Sequence, residues 1–400
     1  MSAFEEAILS LVGGRVRLGS LSVRLPDGRS RVFAGAAPGP EADLTIRDWR
    51  AVRRIASEGA IGLAEGWICE ELDSEDLPTL IELATYHLEP EHRRVPEPLE
   101  RAGQAAWRAI GRATHQRGPL RTMAEHYDLG NRFFALWLDE TMTYSSAYFT
   151  RDDLALADAQ REKYRRLADR TGITRGMRVL EIGSGWGSFA VHLATELGCD
   201  VTTTTISREQ ADHVAGRIGE LGLEGRVRVV LEDFAETTGT FDAIVSVEMI
   251  ESIPGARWPA YFRTLRDRLA PGGRVGLQSI VVADRHWRSS NANPDFIRRY
   301  IFPGGQVPSP GVLRERAREV GLRWREDAWF GRSYAKTLAE WHRNFDAAWP
   351  EIAALGFDRR FQRMWQYYLS YTEGGFRPRR VEVPVPLGER LRVGPPEPRV

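Results

Sequence analysis

Along this 400-residue chain the spacing of apolar positions changes character: mixed strand and helix periods come first, then a regular alternation of short strands and helices, then widely spread aromatics. Residues 4–12 have a helical period, and residues 18–33 alternate apolar and polar positions around Pro26-Asp27-Gly28, which predicts a hairpin with its turn at that tip. Residues 43–46 predict a further short strand. Helices are expected over 48–58 and 77–87, with a Gly62/Gly66 segment between them. These elements make a small α+β domain over residues 1–95.

The Pro-rich, charged run at 89–99 marks a boundary. Residues 101–121 are helical and basic, with Arg101, Arg108, Arg112, Arg117 and Arg121 beside Trp107, so 96–120 reads as a linker helix able to lie on anionic headgroups or simply to face water. From Arg178 onward strands alternate with helices: strands at 179–182, 200–205, 227–231, 243–247 and 274–282, helices at 187–196, 207–219 and 258–269. Alternation of this kind calls for a parallel sheet covered on both faces. Beyond it the aromatics Phe296, Tyr300, Trp341, Phe345, Phe361, Trp365, Tyr367 and Tyr371 stand at helical spacing, as core or as the lining of a cap for a long apolar ligand.

One stretch of the alternating region carries candidate chemistry. Val179-Leu180-Glu181-Ile182 runs into Gly183-Ser184-Gly185-Trp186-Gly187 and then into an apolar helix start. Glycines at alternate positions let a backbone approach a ligand, with the amides of the following helix directed at it. The spacing G-x-G-x-G lacks the third glycine of the dinucleotide fingerprint. The loop is similar to the S-adenosylmethionine (SAM) loop of class I methyltransferases, where Glu181 would hold an ammonium group; a nicotinamide cofactor and a turn needed only for packing stay open.

Composition narrows the field. With 42% hydrophobic and 28% charged residues the chain is expected to be globular, and its formal net charge of zero argues against a nucleic-acid binder that works by overall charge. No apolar run approaches the roughly 20 residues that span a bilayer, and the acidic N-terminus does not look like a secretory signal, so a cytoplasmic protein is expected. Two cysteines, Cys69 and Cys199, give neither a disulfide framework nor a metal spacing, and no metal site is expected.

Seven ordered stretches then agree. They are His126-Tyr127-Asp128-Leu129-Gly130-Asn131, residues 142–149 (MTYSSAYF), the glycine loop, residues 205–210 (TISREQ), residues 246–251 (SVEMIE), residues 299–305 (RYIFPGG) and residues 330–334 (FGRSY). In this order the chain resembles the cyclopropane-fatty-acyl-phospholipid synthases and their mycolic-acid methyltransferase relatives over about residues 120–380. The resemblance implies an α/β fold, a class I SAM-dependent methyltransferase (Rossmann-like) over 121–400 with a helical aromatic-rich cap at about 285–380, preceded by the small α+β N-terminal domain.

It also implies roles. Gly183, Gly185 and Gly187 would line the methionine and ribose portion of SAM, Tyr144 and Ser145 would close over its amino-acid end, Thr205, Ile206 and Gln210 would hold the ribose, and Asp233 and Phe234 would bond and stack on adenine. The family's reaction centre is a bound bicarbonate, proposed as proton acceptor, held by Cys, Glu, His, a backbone Ile and Tyr. Glu251, Ile280 and Tyr334 match. Ser146 stands in place of the Cys, Gln278 in place of the His, and Ser252 replaces the His that usually follows the Glu. Glu251 is therefore expected to bind the anion or to act as base itself.

The implied activity is transfer of a methyl or methylene group from SAM to a cis double bond of an unsaturated phospholipid acyl chain, giving a cyclopropane. Because Ser146 and Gln278 replace a thiol and an imidazole, a methyl-branched, methylene or methylated furan product is the alternative; a non-catalytic lipid-binding protein is a second. Such a substrate requires peripheral contact with the inner face of the membrane. The resemblance further suggests a homodimer.

Overall fold

The computed structural model describes Gly14 and residues 16–87, 129–292 and 295–390. Residues 4–12, the boundary at 89–99, the basic linker and residues 126–128 of the 126–131 motif lie outside the described residues. The chain divides into two compact units: Met1–Asp128, Pro294–Pro303 and Leu338–Arg380 form the first, and Leu129–Asn293, Gly304–Thr337 and Val381–Val400 the second.

The first unit opens with β1 (Leu18–Arg24), β2 (Ser30–Ala34) and β3 (Ala37–Ile46), then α1 (Trp49–Glu58), α2 (Ala60–Ile68), β4 (Leu72–Asp73) and α3 (Leu77–His87). β1 and β2 form the expected antiparallel hairpin, and β3 lies parallel to β1 in a sheet of order β2-β1-β3-β4. The Gly62/Gly66 segment, left without structure by its glycines, is the helix α2. A Cβ at Gly66 would stand 2.9 Å from a Leu72 methyl and 3.4 Å from the Ala51 Cβ, so close packing explains the glycine inside a helix.

The second unit begins with α4 (Gly130–Ala135) and α5 (Leu156–Thr171). The expected alternation follows: β5 (Arg178–Ile182), α6 (Ser188–Leu197), β6 (Asp200–Thr205), α7 (Arg208–Glu220), β7 (Val227–Leu231), β8 (Phe241–Val247), α8 (Trp258–Arg268) and β9 (Leu269–Gln278). After these come β10 (Val281–Val282), α9 (Asp284–Ala292), α10 (Pro310–Glu319), β11 (Leu322–Trp329), α11 (Gly331–Ala347, whose later turns belong to the first unit), β12 (Val381–Glu382) and β13 (Pro384–Arg390). The main sheet has the order β11-β13-β9-β8-β5-β6-β7. β9, β8, β5, β6 and β7 are parallel, while β13 and β11 add an antiparallel edge beyond β9. Pro271-Gly272-Gly273 sits inside β9, which starts at Leu269 rather than at the expected 274, and the register against β8 slips there between Phe241 and Ala243. Leu180, Ile182, Ile244, Phe262, Leu265 and Leu277 pack the core of this sheet. The chain leaves β5 to one side for β6 and β7 and then crosses to β8 and β9 on the other, so the loops after β5, β6 and β8 meet at the switch point where open α/β sheets bind ligands.

The aromatics of the C-terminal third are divided between the units. α12 (Trp349–Ala354) and α13 (Arg359–Phe376) belong to the first unit, so the cap expected at 285–380 within one catalytic domain is not one body. Residues 338–380 return to the N-terminal elements. The Trp67 indole donates to the Arg363 carbonyl at 2.9 Å, Arg363 Nε donates to the Trp67 carbonyl at 2.6 Å, and the guanidinium lies over the Trp67 ring. Phe296, Tyr300, Trp341, Phe345, Phe361, Trp365 and Tyr367 are buried, which makes them core.

Candidate functional site

The glycine loop joins β5 to α6 as the spacing requires. Gly183, Gly185 and Gly187 have φ of 94°, 50° and 83°, a region that disfavours side chains. A Cβ at Gly183 would also strike the Met249 side chain at 2.8 Å, whereas at Gly185 it would meet open space, so the loop has one face against the segment after β8 and one free. The Gly183 and Ser184 amides bond the Thr204 carbonyl, tying the loop to β6. Asn131 accepts from the Trp186 indole at 2.8 Å, and Phe134 and Tyr144 bring their rings to the same corner, 4.9 Å from Trp186 and 5.4 Å from Phe134 respectively.

At the end of β6, Thr205 donates to Gln210 Oε1 at 2.8 Å, Ser207 caps α7 through the Gln210 amide, and Ile206 is 79% exposed beside them. The Gln210 NH2 group makes no hydrogen bond among the described residues, which leaves two donors facing outward for vicinal hydroxyls. These features fit SAM: an open glycine face, free amide donors and an exposed apolar side chain around one end of the sheet.

Other expected contacts have different owners. Glu181 is buried, accepts from the Thr203 hydroxyl at 2.7 Å, and is pushed up to about 8 by burial. Asp233 accepts from two Arg257 nitrogens at 2.7 and 3.0 Å, a pairing that holds its carboxyl below the usual range. Phe234 is buried, with the Arg257 guanidinium over its ring and Tyr261 at its edge, so it serves the core rather than presenting a free face for adenine. Ser145 Oγ accepts from Lys163 Nζ at 2.7 Å instead of standing free over a ligand.

The second cluster gathers at the ends of β8 and β9. Ser146, Gln278 and Tyr334 are all brought together, and the residue that joins them is one the sequence motifs contained without marking: Glu248. Its Oε1 accepts from the Ser146 amide at 2.9 Å and from Gln278 Nε2 at 2.7 Å; its Oε2 accepts from the Tyr334 hydroxyl at 2.7 Å. The other Gln278 amide hydrogen goes to the Ser146 carbonyl at 3.2 Å, so that NH2 group has both donors engaged. The Ser146 hydroxyl turns away and donates to the Ala147 carbonyl. Glu248 reaches this position with φ of 49°, a left-handed conformation uncommon for a side chain of its size.

Glu251, the expected base, is a neighbour with a different state. Its Oε1 accepts from the Ile280 amide, and its Oε2 is buried with no partner among the described residues. Burial, reinforced by the Glu248 charge, pushes its carboxyl up to about 8. Burial raises Glu248 as well, but Gln278, Lys163, Tyr334 and Ser146 all oppose the shift. The three donors on Glu248 favour its ionised form, whereas Glu251, with one oxygen unpartnered among the described residues and the Glu248 charge acting on it, favours its protonated form. Lys163, buried and brought down to about 7, supplies the facing positive charge. A small cavity beside this cluster is lined by Tyr148, Lys163, Arg166, Gln278 and Phe330, among others.

The four donor groups matched to a bicarbonate ion are therefore occupied by the chain's own carboxyls. The Ser146 amide, Gln278 and Tyr334 hold Glu248, and the Ile280 amide holds Glu251. An added anion would meet two carboxyls and no free donor among these groups. The residues present do not fit bicarbonate.

The fold agrees with comparison to known proteins. The family described as Mycolic acid cyclopropane synthetase matches residues 114–384. Tuberculostearic acid methyltransferase of Mycobacterium tuberculosis is 37% identical over 89% of this chain and 85% of its own length. Cyclopropane-fatty-acyl-phospholipid synthase of Escherichia coli is 33% identical over 87% of each chain. The crystal structure of mycolic acid cyclopropane synthase CmaA1 complexed with SAH and CTAB superposes with a TM-score of 0.61 at 29% identity, covering 66% of this chain and 96% of that one. The chain belongs to the mycolic acid cyclopropane synthetase family of SAM-dependent transferases, whose members modify lipid acyl chains.

Proposed function

We propose that this enzyme methylates a cis double bond in an unsaturated phospholipid acyl chain and that its product is a methylene-branched chain rather than a cyclopropane. The observation that carries this reading is the Glu248 carboxylate, fixed at the end of β8 by three donors in the cradle where the family resemblance places a freely bound anion. When bound, SAM supplies an electrophilic methyl group, and its transfer to an alkene leaves a carbocation on the chain.

The residues of the site act on that cation. Glu248, held by three donors that favour its ionised form, provides negative charge beside it, while Glu251, pushed up to about 8, keeps its proton. Loss of a proton from the transferred carbon completes the reaction by one of two routes: with the cation on the neighbouring carbon the C–H electron pair closes the third side of a ring, whereas after a hydride has shifted from the methylated carbon to that neighbour the pair becomes the double bond of a methylene branch. A tethered carboxylate cannot relocate as a free ion can, which favours one of these outcomes. The 37% identical relative, a tuberculostearic acid methyltransferase, supports a branched product over a ring. A saturated branch would further require a hydride donor of the nicotinamide or flavin class, supplied by another protein. Cyclopropane formation is the second reading, favoured by the retained Glu251–Ile280 contact and by the Escherichia coli relative.

The substrate reaches the protein at a bilayer surface, so peripheral, salt-sensitive association with anionic lipid belongs to this reading, as does a homodimer. No helix among the described residues is long and apolar enough to cross a membrane. Purified protein incubated with SAM and vesicles of cis-unsaturated phospholipid is expected to add one CH2 unit to the acyl chain, and ozone is expected to cleave the product at a new alkene. An ozone-resistant product of the same mass would establish the ring instead.

A further inference from the structure

We infer that Glu248 is the chain's own proton acceptor, its tethered carboxylate replacing the external bicarbonate on which the family resemblance would have the reaction depend. This inference rests on the reading above, that a cation formed on the acyl chain must lose a proton. It deepens that reading by naming the atom that receives it.

Counting lone pairs identifies the atom. Each carboxylate oxygen offers two acceptor sites. Oε1 has both filled, by the Ser146 amide and by Gln278 Nε2. Oε2 has one filled, by the Tyr334 hydroxyl, and one remaining among the described residues. In the proposed step a hydride first shifts from the methylated carbon to the adjacent cationic carbon; a C–H bond of the transferred methyl group then breaks, its electron pair forms the double bond to the methylated carbon, and the proton goes to Glu248 Oε2. The carboxyl then returns the proton to solvent, and no oxidant or reductant is consumed.

The surroundings suit the role. All three donors are neutral groups that hold the carboxylate in place. Glu251, pushed up to about 8, holds its own proton through neutral pH, and the three donors on Glu248 favour the ionised form there. Gln278 in place of an imidazole is consistent with this arrangement, because an amide donates to the carboxylate without competing for the proton. The left-handed backbone at Glu248 is the local geometry that turns the side chain into the cradle. A residue there only for packing would not need a carboxylate surrounded by three directed donors.

The test uses Glu248→Gly and Glu248→Gln. Glycine accepts the φ of 49° without strain and empties the cradle; glutamine keeps it filled with a group that cannot accept a proton. Product formation from SAM and unsaturated phospholipid vesicles is measured in buffer freed of carbon dioxide, with and without added bicarbonate, and binding of 13C-labelled bicarbonate is read separately by NMR line broadening. The wild type is expected to be indifferent to bicarbonate and to leave the line sharp. Glu248→Gly is expected to lose about a hundredfold or more of its rate, to recover part of it with bicarbonate, and to broaden the line. Glu248→Gln is expected to lose the rate without rescue. Three results would overturn the inference: wild-type turnover that needs bicarbonate, a glycine variant that keeps its rate without it, or a glycine variant that neither binds nor responds to the ion. Should the wild type modify no unsaturated phospholipid at all, the function proposed above fails, while the line-broadening comparison still decides what fills the cradle.

Discussion

The Tyr334 hydroxyl donates to Glu248 Oε2 at 2.7 Å, joining the first turn of α11 to the end of β8. This bond favours the ionised form of Glu248 and opposes the upward pull of burial. Removing it in Tyr334→Phe is therefore expected to raise the Glu248 pKa. A hydrogen bond to a charged group contributes roughly 1.5–3 kcal/mol, so the acid limb of the rate–pH profile should move up by about one to two pH units. The measurement is the initial rate from pH 5 to 9; an unmoved acid limb would separate Tyr334 from the titration of Glu248.

Lys163 acts on the same limb through charge. Its ammonium is a positive neighbour of Glu248 and lies against Ser145 Oγ at 2.7 Å. Lys163→Met keeps most of the side-chain volume and removes the charge, so Glu248 should again titrate higher. Because Lys163 itself titrates at about 7, the wild-type profile should lose this electrostatic help as pH rises past neutrality. The variant's profile should lack that inflection.

Glu251 governs the alkaline side. With a folded pKa of about 8 against an ordinary value of 4.5, it keeps its proton through neutral pH. Activity that depends on a protonated Glu251 falls as pH passes 8, and Glu251→Gln, which can still accept from the Ile280 amide, is expected to abolish that limb. Stability follows the same group. The folded state binds the proton more tightly than the unfolded chain, so this contribution is complete below about pH 4.5 and is lost as pH rises through 8. The variant's thermal midpoint should decline less than the wild type's across that window.

Arg363 is the corresponding test of the first unit. Its guanidinium donates to the Trp67 and Leu72 carbonyls at 2.6 and 2.9 Å, and its own carbonyl accepts the Trp67 indole. Arg363→Ala orphans two buried carbonyls, and the expected loss is about 2–4 kcal/mol of unfolding free energy. Urea denaturation would show it as a lower midpoint at unchanged slope.

Much of this architecture could be read from local pattern. The β5–α6 glycine loop, the strand at 200–205 and the helix expected at 207–219 are local features, and each lies within a residue of where its spacing put it. The return of residues 338–380 to the N-terminal unit was not legible, because the Trp67–Arg363 pairing joins positions 296 residues apart and leaves no local period. The site divides in the same way. The motif 246–251 located the right corner, but alignment singled out Glu251, and an acid following a strand ordinarily reads as a cap. Glu248 enters the cradle only through a positive φ that glutamate rarely adopts, which no periodicity reveals. The available signal was compensation: two ligand positions, Ser146 and Gln278, had departed together, and an extra acid stood three residues before Glu251 in the same motif. Asp233 and Phe234 differ for another reason. Arg257, on the turn before α8, occupies both of them, and a partner 23 or 24 positions away is invisible to motif reading.

The most direct test of the account is the initial rate of the wild-type enzyme on unsaturated phospholipid vesicles as bicarbonate is titrated into buffer stripped of carbon dioxide. A flat line at full activity is predicted, because the Glu248 carboxylate already holds the Ser146, Gln278 and Tyr334 donors. A rate that starts near zero and saturates with bicarbonate would contradict it.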